Sequence, residues 1–245
     1  MAMLRSLLRL RSGSRRGIGG LSVVLSVLVL ASSCGGSSSS ASSNGESTKP
    51  PDQILKDAQN ATASAKSVHV AGSGQQSGTT LRLDIVAAQA TGGGTVDDSG
   101  ALLDVILAGN KIYLKGDAQS WQTVTKNPAL AQLFAGKWLS TSSSNPDFAD
   151  VVSLVDISKL PQQITPQGTV SVGKVTSRNG VSVIPLNDSA GGTLYVAAKG
   201  PPYMIQVVGA SDNPGTLNFG QYGTAQPPPA PTGALDLDQL KNSGS

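Results

Sequence analysis

The spacing of hydrophobic positions changes several times along the chain, and each change marks an element. Residues 21–30 form a nearly unbroken apolar run, LSVVLSVLVL, and residues 35–51 carry no apolar pattern at all. From residue 52 to 66 the small and apolar side chains Ile54, Leu55, Ala58, Ala61, Thr62 and Ala65 fall on one face at helical spacing. Pro51 and Asp52 suit the start of that helix, and Lys66 suits its end.

At residue 67 the period drops to two. Leu81, Leu83 and Ile85 alternate with Arg82 and Asp84, which predicts a sheet with one face buried and the other in water. Strands are predicted over residues 67–74, 79–87, 101–108, 111–115 and 121–125, with a hairpin turn at Gly109-Asn110. Asp97-Asp98 reads as a turn that follows Gly92, Gly93 and Gly94. Between residues 127 and 160 the spacing is helical again, in two pieces (128–134 and 146–160) separated by a serine-rich loop at 140–145. Strands resume over 169–176, 181–187, 192–198, 203–209 and 216–222, with Asn179-Gly180 as the strongest hairpin signal in the chain. Residues 225–245 are Pro-rich and then polar, and read as a tail with at most a turn or two of helix near 234–240. Successive strands joined by short turns pair antiparallel. The predicted class is α+β, a curved antiparallel sheet in the form of a half-barrel with helices over its concave face.

The beginning of the chain sets its destination. Arg5, Arg9, Arg11, Arg15 and Arg16 precede the apolar run, which ends in Ala31, Ser32 and Ser33 before Cys34, the only cysteine. A basic region, an apolar stretch under ~15 residues and a small-residue exit make a secretory signal peptide; a membrane span needs ~20. Ala31-Ser32-Ser33-Cys34 resembles a bacterial lipobox, although Leu30 sits one position earlier than usual. On that reading residues 1–33 are removed and Cys34 carries a diacylglycerol thioether. Two acyl chains suffice for stable anchoring, so the mature protein is expected on the outer face of a cell membrane. An ordinary cleavable signal that happens to contain a cysteine is the alternative. Residues 34–51 then form an acylated, flexible Gly/Ser linker, 52–224 the folded domain and 225–245 the tail.

Charge and chemistry narrow the picture further. All five basic residues before Cys34 belong to the leader, so the mature chain has 13 basic groups against 15 acidic, a net of −2. That removes the electrostatic case for a nucleic-acid partner. With one histidine and no thiol after acylation, a His/Cys metal site is not expected, and no cofactor is called for. Ser171-x-x-Lys174 matches a Ser-x-x-Lys pattern but lies on a predicted strand, and no Lys-Thr-Gly partner exists. His69 between Val68 and Val70 points away from their face and reads as a surface or hydrogen-bonded side chain rather than a base. Asp97-Asp98 reads as a solvated turn, with a weak cation contact as the less favoured alternative. Trp138 reads as a core anchor under a loop rather than a ligand platform. No catalytic residue is assigned, and an enzyme is not expected.

One family resemblance covers most of the chain after Cys34. The lipobox, the serine linker and the Ala-rich helix run into Ala65-Lys66-Ser67-Val68-His69-Val70. Asp104-Val105-Ile106-Leu107-Ala108-Gly109-Asn110-Lys111-Ile112-Tyr113-Leu114 then precedes Trp121. Gly192-Thr193-Leu194-Tyr195-Val196, the strand at 203–208 and Leu217-Asn218-Phe219-Gly220-Gln221-Tyr222-Gly223 close the order before the Pro-rich end. This succession resembles the mycobacterial LprG/LppX lipoproteins, whose fold is the half-barrel of the LolA and LolB carriers. The resemblance implies acyl chains held between sheet and helices, an acyl-chain lipid or lipoglycan as ligand, and a membrane transporter as a partner. Inward-pointing candidates for the cavity wall are Leu81, Leu83 and Ile85, then Leu103, Val105 and Leu107. Ile112, Leu114, Leu194, Val196, Ile205 and Val207 follow. The expected function is binding or shuttling a lipid or other hydrophobic envelope molecule. The alternative is an envelope lipoprotein with a filled core that docks to a protein partner.

Overall fold

The computed structural model describes residues 42–76 and 78–239; the leader and Cys34 lie outside the described residues. The strands are β1 (Ser67–Gln76), β2 (Thr79–Ala88), β3 (Thr91–Asp98), β4 (Ala101–Ala108), β5 (Lys111–Gly116), β6 (Leu139–Ser142), β7 (Val170–Val172) and β8 (Thr176–Arg178). They continue with β9 (Val181–Asp188), β10 (Thr193–Ala197), β11 (Met204–Val208), β12 (Gly215–Gly220) and β13 (Leu235–Asp236). The helices are α1 (Pro51–Ala63), α2 (Ala118–Thr125), α3 (Pro128–Phe134) and α4 (Ala149–Val155). The strands make one open sheet in the order β13-β6-β5-β4-β3-β2-β1-β12-β11-β10-β9-β7, with β8 also paired to β9. All pairings are antiparallel except β13 on β6.

The expected architecture is therefore the observed one, an α+β fold with a curved antiparallel sheet covered on one face by helices. Period-two alternation sorts the residues as predicted. Val68 and Val70, Ile85, Val105, Ile112 and Leu114 all enter one core, together with Val151, Val152, Leu154 and Val155 from α4. Each such fully buried branched side chain contributes roughly 1.5–3 kcal/mol. The turn Asn179-Gly180 has φ of 50° and 75°, the left-handed pair that its sequence calls for.

Several elements differ from expectation, each for a physical reason. Residues 91–98, where no strand is predicted, form β3, and residues 92–94 in it are paired to both β2 and β4. A Cβ on Gly92 (φ 153°) would stand 2.1 Å from the Val155 carbonyl oxygen, so glycine here lets the end of α4 lie directly on the sheet. Asp97 and Asp98 accordingly close a strand, and the Asp97 carboxylate accepts a hydrogen bond from Arg82 at 3.0 Å. Residues 121–125 are helical. The Asp117 carboxylate accepts from the Ser120 backbone N–H at 2.7 Å and caps α2, so a local cap overrides the strand-like run. The serine-rich loop begins as β6, because its pairing to β5 is made by the backbone and tolerates serine.

The two ends of the domain are also more structured than their composition suggests. Asn44 donates its side-chain amide to the Ala197 and Gly200 carbonyls at 2.9 and 3.0 Å, and its backbone N–H to Ala198 at 3.0 Å. Residues 43–50, expected as part of the linker, are thereby tied to the end of β10. At the other terminus Pro228 lies over Gly93, and Leu235 and Asp236 add the parallel strand beside β6. Asp236 pairs with Lys111 at 2.6 Å, and Asp238 accepts from Thr141 and Ser142.

Candidate functional site, an apolar pocket at one end of the sheet

The fully packed centre of the sheet ends where β1 finishes and β2, β10 and β12 begin. Here the side chains thin out into Ser73, Gly74, Gly192, Gly209 and Gly215, and a pocket of about 360 Å³ opens. Its wall is built from three directions. Leu81, Leu186, Leu194, Val207 and Leu217 rise from the sheet, Leu55 comes from α1, and Ile164 comes from the segment after the 3-10 turn Leu160–Gln163. Leu55, Ile164, Val207 and Leu217 are only partly buried. Each packs against the core on one side and faces the pocket on the other.

Gly74 opens this space. Residues 70, 72 and 74 share the inner face of β1, and Gly74 pairs across to Leu81 on β2. A Cβ at Gly74 would meet no heavy atom within 4 Å, and its φ is not in the left-handed region. The position has room for a side chain and carries none.

The roof is the 163–168 segment, held by two groups. Gln59 on α1 donates to the Ile164 carbonyl at 3.0 Å. Asp188, at the end of β9, accepts from the backbone N–H groups of Gln167 (2.6 Å), Gly168 (2.9 Å) and Ala190 (2.8 Å). Partial burial works to raise the Asp188 carboxyl, but the three N–H donors outweigh it and hold its pKa below the usual carboxylate range. Beneath α1, Thr62 is fully buried and its hydroxyl oxygen accepts from the Met204 N–H at 3.1 Å. Tyr222 donates to the Met204 carbonyl at 2.5 Å and stacks on Tyr203 with ring centroids 4.0 Å apart. Burial pushes the Tyr222 phenol well above its ordinary pKa.

Of the twelve wall candidates read from the sequence, Leu81, Leu194 and Val207 line this pocket. Leu83, Ile85, Leu103, Val105, Leu107, Ile112, Leu114 and Val196 lie instead in the packed core. Ile205 is a correction, because it faces the other side of the sheet with Val183, Tyr195 and Ala197. The cause is a β-bulge. Val196 pairs with Met204 and Tyr195 with Gln206, leaving Ile205 as an extra residue that breaks the alternation. Gly74, Leu55, Ile164, Leu186 and Leu217 were missed. Leu217 is recoverable from its alternation with Phe219, whereas Ile164 follows Pro161 in a stretch with no period.

The other candidates sit elsewhere. His69 is paired with Asp84 at 2.7 Å on the outer face, and Ser171 lies exposed on β7. Trp138 is half-buried, with the Lys115 ammonium 5.7 Å from its ring centroid. A second cleft of about 650 Å³ lies beside the tail, but it is open to solvent, and its Lys111 and Asp236 are paired with each other. It lacks the apolar wall of the first.

No family model matches the chain, and no curated protein matches it. Among solved structures, LprF from Mycobacterium bovis is similar at 13% identity and a TM-score of 0.51, over 75% of this chain and 97% of that one. The lipoprotein LppX from Mycobacterium tuberculosis is similar at 14% identity and a TM-score of 0.42, over 71% of this chain and 97% of that one. A LolA superfamily protein from Nitrosomonas europaea follows at 9% identity and a TM-score of 0.27, over 74% and 96%. The chain thus has the half-barrel fold expected from its resemblance to the LprG/LppX lipoproteins, and shares that fold with LprF.

Proposed function

We propose that this chain is an exported, lipid-anchored envelope protein that takes an acyl chain of an envelope amphiphile into the pocket between α1, the 163–168 segment and the sheet. The observation that carries this reading is the pocket itself, with leucine, isoleucine and valine walls in a domain otherwise closely packed. Its volume of about 360 Å³ falls at the lower end of ligand sites, which run ~300–1,000 Å³. The leader pattern and the fold shared with LprF support the same reading.

Cys34 would hold the protein at the membrane, so Cys34→Ala is expected to release it from the membrane fraction. The cargo is tested by solvent extraction of the protein purified from its own cells. A stoichiometric amphiphile in the extract is the expected result. Repeated absence of any would favour the rival reading, a docking module, for which the closely packed centre of the sheet already speaks.

A further inference from the structure

The pocket wall and the pocket rim say different things about the ligand. No lysine, arginine or histidine lines the pocket among the described residues, and two carboxylates, Asp188 and Asp212, stand at its mouth. An anionic headgroup entering here would meet like charge with no cation to receive it. Asp188 does not make the mouth a cation site either, because its oxygens already accept three backbone N–H groups. The remaining polar lining groups are hydroxyls and amides, among them Gln163, Thr165 and Gln167 on the roof and Asn213. These pair with hydroxyl groups and carry no formal charge.

Volume limits the apolar part in the same way. A space of about 360 Å³ lies at the small end of the ~300–1,000 Å³ range of ligand sites. That accommodates one chain of medium length. Leu83, Ile85 and Val105, behind the pocket, belong to the packed core.

Building on the acyl-chain reading above, we infer that the ligand class is a single-chain amphiphile with an uncharged, hydroxylated head. Phosphate-bearing lipids, free fatty acids and alkylammonium compounds are the classes the rim disfavours.

The test is a calorimetric titration of the full chain with three probes of one chain length, a monoacylglycerol, the corresponding fatty acid and the corresponding alkyltrimethylammonium. The monoacylglycerol is expected to bind about tenfold or more tightly than the fatty acid, as two nearby like charges would dictate. Asp212→Lys, on an exposed turn, is expected to narrow that gap by strengthening the fatty acid alone. Equal binding of monoacylglycerol and fatty acid, or a preference for the cation, overturns the head-group inference and leaves the acyl-chain reading standing. Failure of all three probes to bind overturns both.

Discussion

Gly74 and Leu81 face each other across β1 and β2, and the missing side chain at Gly74 leaves the pocket open beside Leu81. Gly192, Gly209 and Gly215 keep the same end of the sheet thin, and Gly74 is the one that faces Leu81. Elsewhere along the same face, leucine, isoleucine and valine meet and fill the gap. Glycine inside a strand is itself unfavourable by ~0.5–1 kcal/mol relative to alanine. Gly74→Phe is therefore expected to leave the melting temperature of the ligand-free protein unchanged or slightly higher. A fall of several degrees would show that the position is packed.

Asp188 makes the roof of the pocket sensitive to acid. Its carboxyl is held below the usual carboxylate value, ~3.9, so the ionised form is favoured in the folded state. That contribution is fully present above the unfolded value and disappears as pH falls through the lower, folded one. Ligand affinity is expected to hold steady from neutrality to about pH 5 and to drop as Asp188 takes up its proton at lower pH. Asp188→Asn is expected to weaken binding at neutral pH and to flatten that acid step. An unchanged profile in Asp188→Asn would detach the 163–168 segment from the pocket.

Thr62 fastens α1 to the sheet by a bond with no solvent alternative. Thr62→Val keeps the shape of the side chain and removes the acceptor, leaving the Met204 N–H unpaired. A buried donor left so costs ~1–3 kcal/mol. Chemical denaturation should show that loss without a change in the slope of the transition. A neutral result would place water at the Met204 N–H.

Ile205→Trp separates the two faces of the sheet. Ile205 packs with Val183, Tyr195 and Ala197, outside the pocket. Enlarging it is expected to cost ~1–3 kcal/mol through overpacking, or several degrees in melting temperature at ~2–4 °C per kcal/mol. Ligand affinity at a temperature well below the transition should be unaffected. Loss of binding with stability intact would put Ile205 in the pocket after all.

The alternation of Leu81, Leu83 and Ile85 made the sheet and its inner face legible, because burial on one side imposes period two on any such strand. Asn179-Gly180 was legible for a similar local reason, since both of its residues sit at positive φ. What could not be read came from contacts distant in sequence. Gly92 is needed because the Val155 carbonyl lies against it, and Asn44 matters because the Ala197 and Gly200 carbonyls end beside it. The bulge at Ile205 inverted one strand locally with no mark in the hydrophobic pattern. The pocket was legible only in part. Leu81, Leu194 and Val207 followed from strand parity, but an inward-facing residue borders a cavity only where its neighbours are small or absent. Gly74 and the segment carrying Ile164 supply that condition, and neither has a period to reveal it.

The central claim is that the pocket beside Gly74 holds an acyl chain, and native mass spectrometry of wild type and Gly74→Phe with a medium-chain monoacylglycerol tests it most directly. One bound molecule per wild-type chain and none on Gly74→Phe is the predicted result. Equal occupancy of the two proteins would contradict it.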